Sequence, residues 1–390
     1  MSATVRPAAE ALLPVYRRFP VCIVAGDGCE LIADDGTRYL DFVAGISVNL
    51  LGYNHPVLRK ALERAAETGV LHTSNLYRTI PGEELAAELV ERSFASHVFF
   101  CNSGAEANEG AFKFARRAAV GPEQREIVAL KGSFHGRTFA ALAATDRPPY
   151  REPFLPLVPG IRIVDPDHQA ELERAITRRR TAAVIVEPVQ GEGGVNVMPD
   201  ALLQDLREMC TEAGAALIFD EIQCGLGRTG TLFAYQQTGV VPDLVTLAKG
   251  LGGGLPMGAV LVNETIAASV QPGDHATTFG GGPFVASLAL AQLGVLSEPG
   301  FLAAVRQKGE WLGTRLAALA ARHDSVVAVR GRGLMWGIEL EDAAQPVVER
   351  ALERGLLVIS AGPTVIRLLP PLTITREELA RGVELLESCL

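Results

Sequence analysis

The chain carries the stretch Asp243-Leu-Val-Thr-Leu-Ala-Lys249-Gly-Leu-Gly-Gly-Gly-Leu255-Pro256, an apolar run that delivers a single lysine and then turns at a glycine cluster. Lysine is rarely buried without a partner, so a lysine at the end of such a run needs an explanation. Desolvation lowers the pKa of its amine, which makes Lys249 a candidate nucleophile for Schiff-base chemistry. The alternative is a lysine whose amine simply reaches solvent at a strand end. Of the five lysines in the chain, only Lys249 has both the apolar lead-in and the glycines.

Composition and charge limit the class of protein. A chain of 390 residues holds roughly two domains, and 48% hydrophobic with 21% charged residues is typical of a soluble globular protein. The net charge of -9 gives no support for nucleic-acid binding. Six cysteines without C-x-x-C spacing indicate neither a zinc site nor a disulfide framework. Residues 1–20 lack an apolar signal region and no apolar run approaches the ~20 residues that cross a bilayer, so we expect a cytoplasmic protein with no membrane partner.

The middle of the chain alternates short apolar runs with helical patterns. The apolar runs cover residues 97–101, 127–130, 182–186, 216–219, 244–248 and 259–262. The helical patterns between them cover residues 104–118, 168–180 and 199–213. Continuous apolar strands joined through helices indicate a mainly parallel α/β sheet that is covered on both faces. Ligands collect at the carboxyl ends of the strands in such sheets, where Lys249 and several other polar residues fall.

The two ends of the chain have a different character. An irregular arm at residues 1–20 precedes a small antiparallel meander and a helix at residues 56–67. Beyond Pro283, helical patterns at 284–297 and 299–322 lead into strand-like runs and a final helix near 376–388. We therefore predict three parts. They are residues 1–50 (the arm and meander, which pack with the small domain), residues 51–283 (the large domain) and residues 284–390 (a smaller α+β domain).

Two motifs indicate groups that bind an anion and a cation. Ser103-Gly104-Ala105 leads from a strand into a helix, where exposed N–H groups favour a phosphate and glycine permits close approach. The alternative is a plain helix cap by Ser103. Asp220 ends a buried run and needs a cationic partner, which a protonated pyridine nitrogen would supply. Metal ligation by Asp220 and Glu221, or a structural cap by Asp220, would also account for this carboxylate.

Further motifs supply an aromatic ring and two arginines. Phe134-His-Gly-Arg137 offers an aromatic face beside a cation, although a loop with a packed phenylalanine would look the same. Arg367 lies within an apolar strand, and leaving it unpaired would cost several kcal/mol, on the order of a lost buried ion pair. A carboxylate of the protein or of a substrate should therefore meet it. Glu192 lies in a glycine-rich loop near the strand ends. Together with Lys249, Asp220 and the Ser-Gly turn, this set matches pyridoxal 5'-phosphate.

A set of ordered motifs then makes a family resemblance specific. The motifs are Asn102-Ser-Gly-Ala-Glu-Ala-Asn108, Phe134-His-Gly-Arg-Thr138, Val186-Glu-Pro-Val-Gln-Gly-Glu-Gly-Gly194, Phe219-Asp-Glu-Ile-Gln-Cys-Gly-Leu-Gly-Arg-Thr-Gly230 and Ala248-Lys-Gly-Leu-Gly-Gly-Gly254. They resemble the class III aminotransferases over nearly the whole chain. The resemblance implies the fold type I architecture of pyridoxal-phosphate enzymes, in which a large domain with a mainly parallel seven-stranded sheet carries a smaller α+β domain.

The resemblance also implies roles for individual residues. Lys249 would bind the cofactor aldehyde covalently and move the substrate proton, Asp220 would pair with the pyridine nitrogen, and Gln223 would lie near the 3' oxygen. Phe134 would stack on the ring. The phosphate would be bound by the backbone of Ser103, Gly104 and Ala105 and by Thr278 of a neighbouring subunit, which implies a homodimer with shared sites. Arg137 and Arg367 would bind the two carboxylates of glutamate or 2-oxoglutarate, Glu192 would mask Arg367 when a longer diamino substrate enters, and Tyr16 would contact a substrate carboxylate.

The motifs define the substrate less narrowly than they define the reaction. Within the class, the chain resembles the acetylornithine aminotransferases about as closely as the relatives that act on an aminoadipate semialdehyde held by an acidic carrier protein. Transamination of ornithine or 4-aminobutyrate stays open as well, and so does a non-enzymatic binding protein on the same fold. Two departures from the family pattern concern the affinity for the cofactor: Ala105 stands where many relatives have threonine, and Gly282 stands where most have asparagine.

Overall fold

The computed structural model describes residues 11–390. The first ten residues of the expected N-terminal arm lie outside the described residues. Helices and strands alternate through most of the chain. The helices are α1 (Ala44–Ser47, a single turn), α2 (Pro56–Glu67), α3 (Ile80–Glu91), α4 (Gly104–Ala118), α5 (Phe139–Ala143), α6 (Pro148–Arg151), α7 (Gln169–Ala175), α8 (Asp200–Ala213), α9 (Glu264–Ser269), α10 (Pro283–Leu296), α11 (Phe301–Ala320), α12 (Gln345–Glu353) and α13 (Arg376–Glu387).

The strands are short, and most of the central ones are fully buried. They are β1 (Ile23–Asp27), β2 (Glu30–Ala33), β3 (Arg38–Asp41), β4 (His97–Cys101), β5 (Glu126–Leu130), β6 (Ile161–Val164), β7 (Thr181–Val186), β8 (Val189–Gln190), β9 (Asn196–Val197), β10 (Ala216–Asp220), β11 (Leu244–Leu247), β12 (Gly258–Val262), β13 (Val326–Arg332), β14 (Met335–Leu340), β15 (Leu356–Leu357), β16 (Ile359–Ser360) and β17 (Val365–Leu368).

The central sheet has seven strands in the order β4-β12-β11-β10-β7-β5-β6. Neighbouring strands are parallel except at β12, which runs antiparallel to both β11 and β4. Every residue of β7, β10 and β11 is buried, because helices cover both faces of the sheet. The predicted fold class, a mainly parallel seven-stranded α/β sheet, is confirmed.

Local sequence signals set several helix ends. Helix α4 begins where the Ser103 side chain accepts a hydrogen bond from the Glu106 N–H, the arrangement typical of an N-cap. Helix α8 stops at Gly214, which has a left-handed backbone that a glycine adopts without strain. Helix α4 thus starts at the end of β4, and its N-terminus points to the edge of the sheet where the other strands end.

Three further sheets lie outside the central one, of which the smallest is the antiparallel pair β8-β9. The N-terminal meander forms a sheet in the order β1-β2-β3-β15, so a strand from the C-terminal part of the chain completes it. The order in the other four-stranded sheet is β13-β14-β17-β16. The division into three parts at residues 50 and 283 stays a prediction. Within residues 11–390, no single helix is long and apolar enough to cross a membrane. Helices α10 and α11 meet that requirement only as a pair bent by 69°.

Candidate active site

A cavity of about 460 Å³ lies at the carboxyl ends of the central strands. Most of the residues singled out by the sequence line it, and they come from five separate segments of the chain. These cavity-lining candidates are Ser103, Gly104, Ala105, Phe134, Arg137, Glu192, Asp220, Gln223 and Lys249. Because parallel strands end at one edge of a sheet, the topology gathers these distant residues at one place.

Lys249 lies two residues beyond β11 and points into this cavity. Its backbone is left-handed, with a φ of 46°, which is uncommon for a residue with a side chain. Burial lowers the pKa of its amine below the usual value; the Arg367 charge acts in the same direction, and Glu192 opposes it. The Lys249 amine makes no hydrogen bond with any residue of the part that the structure describes. An unengaged amine with a lowered pKa, placed in a cavity, is suited to attack a carbonyl carbon.

Asp220 ends β10 and is fixed by two buried side chains. Its Oδ2 accepts hydrogen bonds from Asn108 Nδ2 and from His135 Nδ1, each at 2.8 Å. Its Oδ1 accepts one from the Ile222 N–H at 3.1 Å. A carboxylate has about four acceptor positions, so Asp220 can take one more N–H from the cavity side.

The N-terminus of α4 forms another wall of the cavity. Gly104 lets the helix start pack closely there, because a Cβ at this position would lie 2.8 Å from the Ile222 side chain. The first N–H groups of a helix have no partner within the helix and carry a partial positive charge. Ser103, Gly104 and Ala105 therefore present an anion-binding end to the cavity.

Glu187 connects two loops that face the cavity. Its carboxylate accepts hydrogen bonds from the Phe134 N–H at 2.8 Å and from the Gly191 N–H at 3.3 Å. Burial raises the pKa of Glu187 to about 7. The loop that carries the Phe134 ring is thus tied to the loop that carries Glu192.

Arg367 and Glu192 form an ion pair at the edge of the cavity. Arg367 Nη1 donates to Glu192 Oε1 at 2.5 Å and to Gln223 Oε1 at 3.0 Å. Arg367 is buried, whereas a quarter of the Glu192 side chain is exposed. Burial alone would raise the pKa of Glu192, but the charges of Arg367 and Lys249 outweigh it, so the pKa lies below its usual value. The carboxylate that the sequence led us to expect beside Arg367 is thus that of Glu192.

Arg137 has no carboxylate partner among residues 11–390. Its guanidinium carbon lies 3.5 Å from the centroid of the Tyr150 ring and 5.7 Å from that of Phe134. The Arg137 side chain is exposed to solvent and lines the cavity, so it lies at the cavity mouth. A cation in this position is available to an incoming anion.

Thr278 and Tyr16 lie apart from the other candidates. Thr278 belongs to an exposed loop and does not line the cavity. The Tyr16 side chain is 74% exposed and does not line it either. Their predicted roles involve, respectively, a second subunit and a substrate, and they stay predictions.

Sequence reasoning missed the roles of Asn108, His135 and Glu187. The first two hold Asp220, and the third joins two loops. Each lies within one of the family motifs, which was the available signal. The metal alternative at Asp220 and Glu221 has no support from the geometry, since Glu221 accepts hydrogen bonds from the Ala234 and Tyr235 N–H groups instead of lining the cavity. No group of three or more potential metal ligands lies together in residues 11–390.

Comparisons with known proteins assign the chain to a family. The family described as Aminotransferase class-III matches residues 13–390. The acetylornithine aminotransferase of Methanocaldococcus jannaschii is 47% identical over 370 residues, which cover 94% of this chain and 92% of that protein. The structure of the ornithine aminotransferase from Toxoplasma gondii ME49 superposes with a TM-score of 0.93 at 31% identity, covering 98% of this chain and 92% of that one. The N-acetylornithine aminotransferase from Stenotrophomonas maltophilia superposes with a TM-score of 0.83 at 38% identity, covering 95% and 96%.

The fold and the comparisons define a pyridoxal-phosphate-dependent transaminase. The chain belongs to the class III aminotransferases. The residues that line the cavity fit the cofactor of this class: an amine for its aldehyde, a carboxylate for its ring nitrogen and a helix N-terminus for its phosphate. The donor set therefore agrees with the family.

Proposed function

We propose that the chain is an acetylornithine aminotransferase of arginine biosynthesis. It moves the terminal amino group of N2-acetyl-L-ornithine to 2-oxoglutarate and yields N-acetylglutamate 5-semialdehyde and L-glutamate. The Arg367–Glu192 ion pair at the cavity carries this proposal. With the pair formed, the charge of Arg367 is neutralised; with the pair broken, Arg367 is available to a substrate carboxylate. Relatives named acetylornithine aminotransferase, at 44–47% identity over almost the whole chain, support the same substrate.

Lys249 is the proposed catalytic base. Pyridoxal phosphate, when bound, supplies the aldehyde that takes up the amino group and the ring that delocalises the electrons of the substrate carbon. Burial lowers the pKa of the Lys249 amine, which favours its use as the base that would take a proton from the substrate carbon and return it. Asp220 stabilises a positive charge on the ring nitrogen, and Asn108 and His135 keep its carboxylate in place.

The remaining roles concern binding. The N–H groups at the start of α4 would bind the phosphate, Phe134 would stack on the ring and Gln223 would hold the 3' oxygen. Arg137 binds one carboxylate of the substrate. With acetylornithine bound, Glu192 neutralises Arg367, and the neutral acetamido end does not compete for it. With 2-oxoglutarate bound, Glu192 moves aside and Arg367 receives the second carboxylate.

Further parts of the proposal concern assembly. A homodimer with shared sites would place Thr278 of one subunit at the phosphate of the other, and Tyr16 at a substrate carboxylate. We propose a cytoplasmic enzyme with the three-part division at residues 50 and 283. An acidic carrier protein as partner belongs to the alternative in which the substrate is a carrier-bound semialdehyde.

A panel of amino donors with 2-oxoglutarate as the common acceptor tests the substrate. We expect kcat/KM to be highest for acetylornithine and at least about tenfold lower for ornithine, 4-aminobutyrate and the carrier-bound amine, a difference of roughly 1.4 kcal/mol in transition-state binding. A higher value for any other donor would overturn the assignment. Ornithine is the second candidate, because the Toxoplasma ornithine aminotransferase is a structural match with a TM-score of 0.93.

A further inference from the structure

Arg137 is held in place by aromatic contacts alone. It makes no ion pair and no side-chain hydrogen bond with the residues that the structure describes, 11–390. Its guanidinium stacks on Tyr150, with 3.5 Å between the guanidinium carbon and the ring centroid. A long, exposed arginine side chain has many rotamers, so the orientation seen here depends on the ring beneath it.

The Tyr150 ring is itself held in place by its neighbours. It packs edge-on against Phe134, with 6.4 Å between the ring centroids and an interplanar angle of 87°. Tyr150 belongs to the short helix α6, and the Tyr150 N–H donates to the carbonyl of Arg147 at 2.9 Å. The Tyr150 hydroxyl makes no hydrogen bond with the described residues, so the ring face is the part that acts on Arg137.

Helix α6 is tied to loops on both sides of the cavity. Asp146, just before it, donates its N–H to the Ser133 carbonyl at 2.9 Å, and its carboxylate accepts from the Gly132 N–H at 2.9 Å. Arg147 donates to the backbone carbonyl of Glu192. The ring under Arg137 is therefore anchored both to the Phe134 loop and to the Glu192 loop.

We propose that Tyr150 is a positioning residue that sets the affinity of the enzyme for dicarboxylate substrates by holding Arg137 in its binding orientation. Tyr150 does not line the cavity. Its effect is preorganisation: the guanidinium is ordered before the carboxylate arrives, so less side-chain entropy is lost on binding. The inference rests on the proposed function of Arg137 as a carboxylate-binding group.

The test measures binding of glutarate, a dicarboxylate without a keto group, to the holoenzyme, together with steady-state kinetics for 2-oxoglutarate. The variants are Tyr150→Leu, Tyr150→Phe, Arg137→Leu and the double variant Tyr150→Leu/Arg137→Leu. Tyr150→Gln is a second non-aromatic variant, so the result does not depend on how well the leucine variant folds. The melting temperature of each variant monitors folding.

Loss of the ring should weaken glutarate binding and raise KM for 2-oxoglutarate, each by about three- to tenfold, with kcat within about twofold of the parent. Tyr150→Phe keeps the ring and should keep both constants. In the Arg137→Leu background, Tyr150→Leu should have no further effect, because two residues that act through one contact are not additive. A residue with only a structural role would instead change the melting temperature and kcat and would be independent of Arg137.

Glutarate binding that is unchanged in Tyr150→Leu, or an equal weakening in the presence and in the absence of Arg137, would overturn the inference alone. A Tyr150→Phe variant as weak as Tyr150→Leu would also overturn it, because the hydroxyl and not the ring would then be responsible. If Arg137→Leu bound glutarate as tightly as the parent, the carboxylate-binding role of Arg137 in the proposed function would be wrong, and the inference that rests on it would be wrong as well.

Discussion

At the scale of single residues, three charges influence one another: Lys249 and Glu192 line the cavity, and Arg367 pairs with Glu192 at its edge. Arg367 lowers the pKa of both Lys249 and Glu192, and Glu192 raises that of Lys249. A change in one of them therefore alters the protonation or the availability of the other two. The sequence located all three, since each ends or interrupts an apolar run or lies in the loop that follows one. It did not reveal that Asn108 and His135 fix Asp220. These two residues are separated from Asp220 by 112 and 85 positions along the chain, so no local pattern connects them.

Removal of Glu192 should change the choice of amino donor. In Glu192→Ala, Arg367 loses its partner and stays available for a carboxylate, so kcat/KM for glutamate should rise relative to acetylornithine by about tenfold, the scale of one charge-assisted hydrogen bond. Donor profiles of the parent and the variant measure this ratio. Glu387→Ala removes the partner of Arg322, another arginine, outside the cavity and serves as the control. An unchanged donor ratio in Glu192→Ala would show that Glu192 does not mask Arg367.

At the scale of elements, the N-terminus of α4 and the ends of the central strands create the site. The sequence predicts helix α4 at its observed bounds, since a Ser-Gly start and a clear apolar face mark it. It does not predict strand β6. This strand has only four residues, contains Arg162 and lies at the edge of the sheet beside β5 alone, so it lacks the continuous apolar run of the central strands.

The start of α4 can be tested with two glycines of the same helix. In Gly104→Ala the new Cβ would lie 2.8 Å from Ile222, which lines the cavity, so the helix start or Ile222 must shift. We expect the dissociation constant for pyridoxal phosphate, measured by titration of the cofactor-free protein, to rise by about tenfold, the equivalent of one or two phosphate hydrogen bonds.

Gly110→Ala is the matched control for this experiment. Its Cβ would meet no atom closer than 3.5 Å, and alanine favours the helix interior by about 1 kcal/mol. The control should bind the cofactor normally and be at least as stable as the parent. Equal cofactor affinities in both variants would contradict the role given to the start of α4.

Glu221 should make the stability of the cofactor-free protein depend on pH. Burial raises its pKa to about 7 from an ordinary value of 4.5. A carboxyl whose pKa is raised on folding stabilises the protein most below its unfolded pKa, and this contribution is lost as the pH rises through about 7. Relative to Glu221→Gln, the parent should therefore lose on the order of 3 kcal/mol in its free energy of unfolding between pH 4.5 and pH 8.

Urea denaturation of both proteins at several pH values measures this difference. The glutamine variant lacks the ionising group, so it reports the pH dependence of all other groups. A free-energy difference between the two proteins that is constant with pH, or that grows in favour of the parent as pH rises, would contradict the buried, proton-retaining carboxyl.

At the scale of the whole molecule, two segments that meet at the His72 and Phe279 rings, whose centroids are 4.7 Å apart, expose apolar side chains. The side chain of Leu76 is 89% exposed, that of Phe279 is 62% exposed, and Leu71 and Ile80 are also exposed. Exposed apolar side chains that lie together often mark a protein–protein interface. Phe279 is adjacent to Thr278, the residue proposed to reach the phosphate of a second subunit. The sequence implied such a dimer only through the family resemblance, because the apolar residues come from segments about 200 positions apart.

A charge at Phe279 should dissociate the proposed dimer. Phe279→Asp places a carboxylate in an apolar contact, so sedimentation or light scattering should show a monomer at concentrations where the parent is a dimer. Cofactor affinity should fall with it, since Thr278 would no longer reach the neighbouring site. Val327→Asp alters an apolar residue with a similar exposure of 64% on strand β13 and should remain dimeric. A dimeric Phe279→Asp protein would exclude this surface as the interface.

The most direct test of the central assignment is chemical labelling of the lysine. The holoenzyme is reduced with borohydride, digested and analysed by mass spectrometry, which locates the lysine that carries the pyridoxyl group. We predict that the label lies on Lys249 and that Lys249→Ala carries none and loses its visible absorption. A label on Lys60, Lys113, Lys131 or Lys308 instead, or an unlabelled parent protein, would contradict the account.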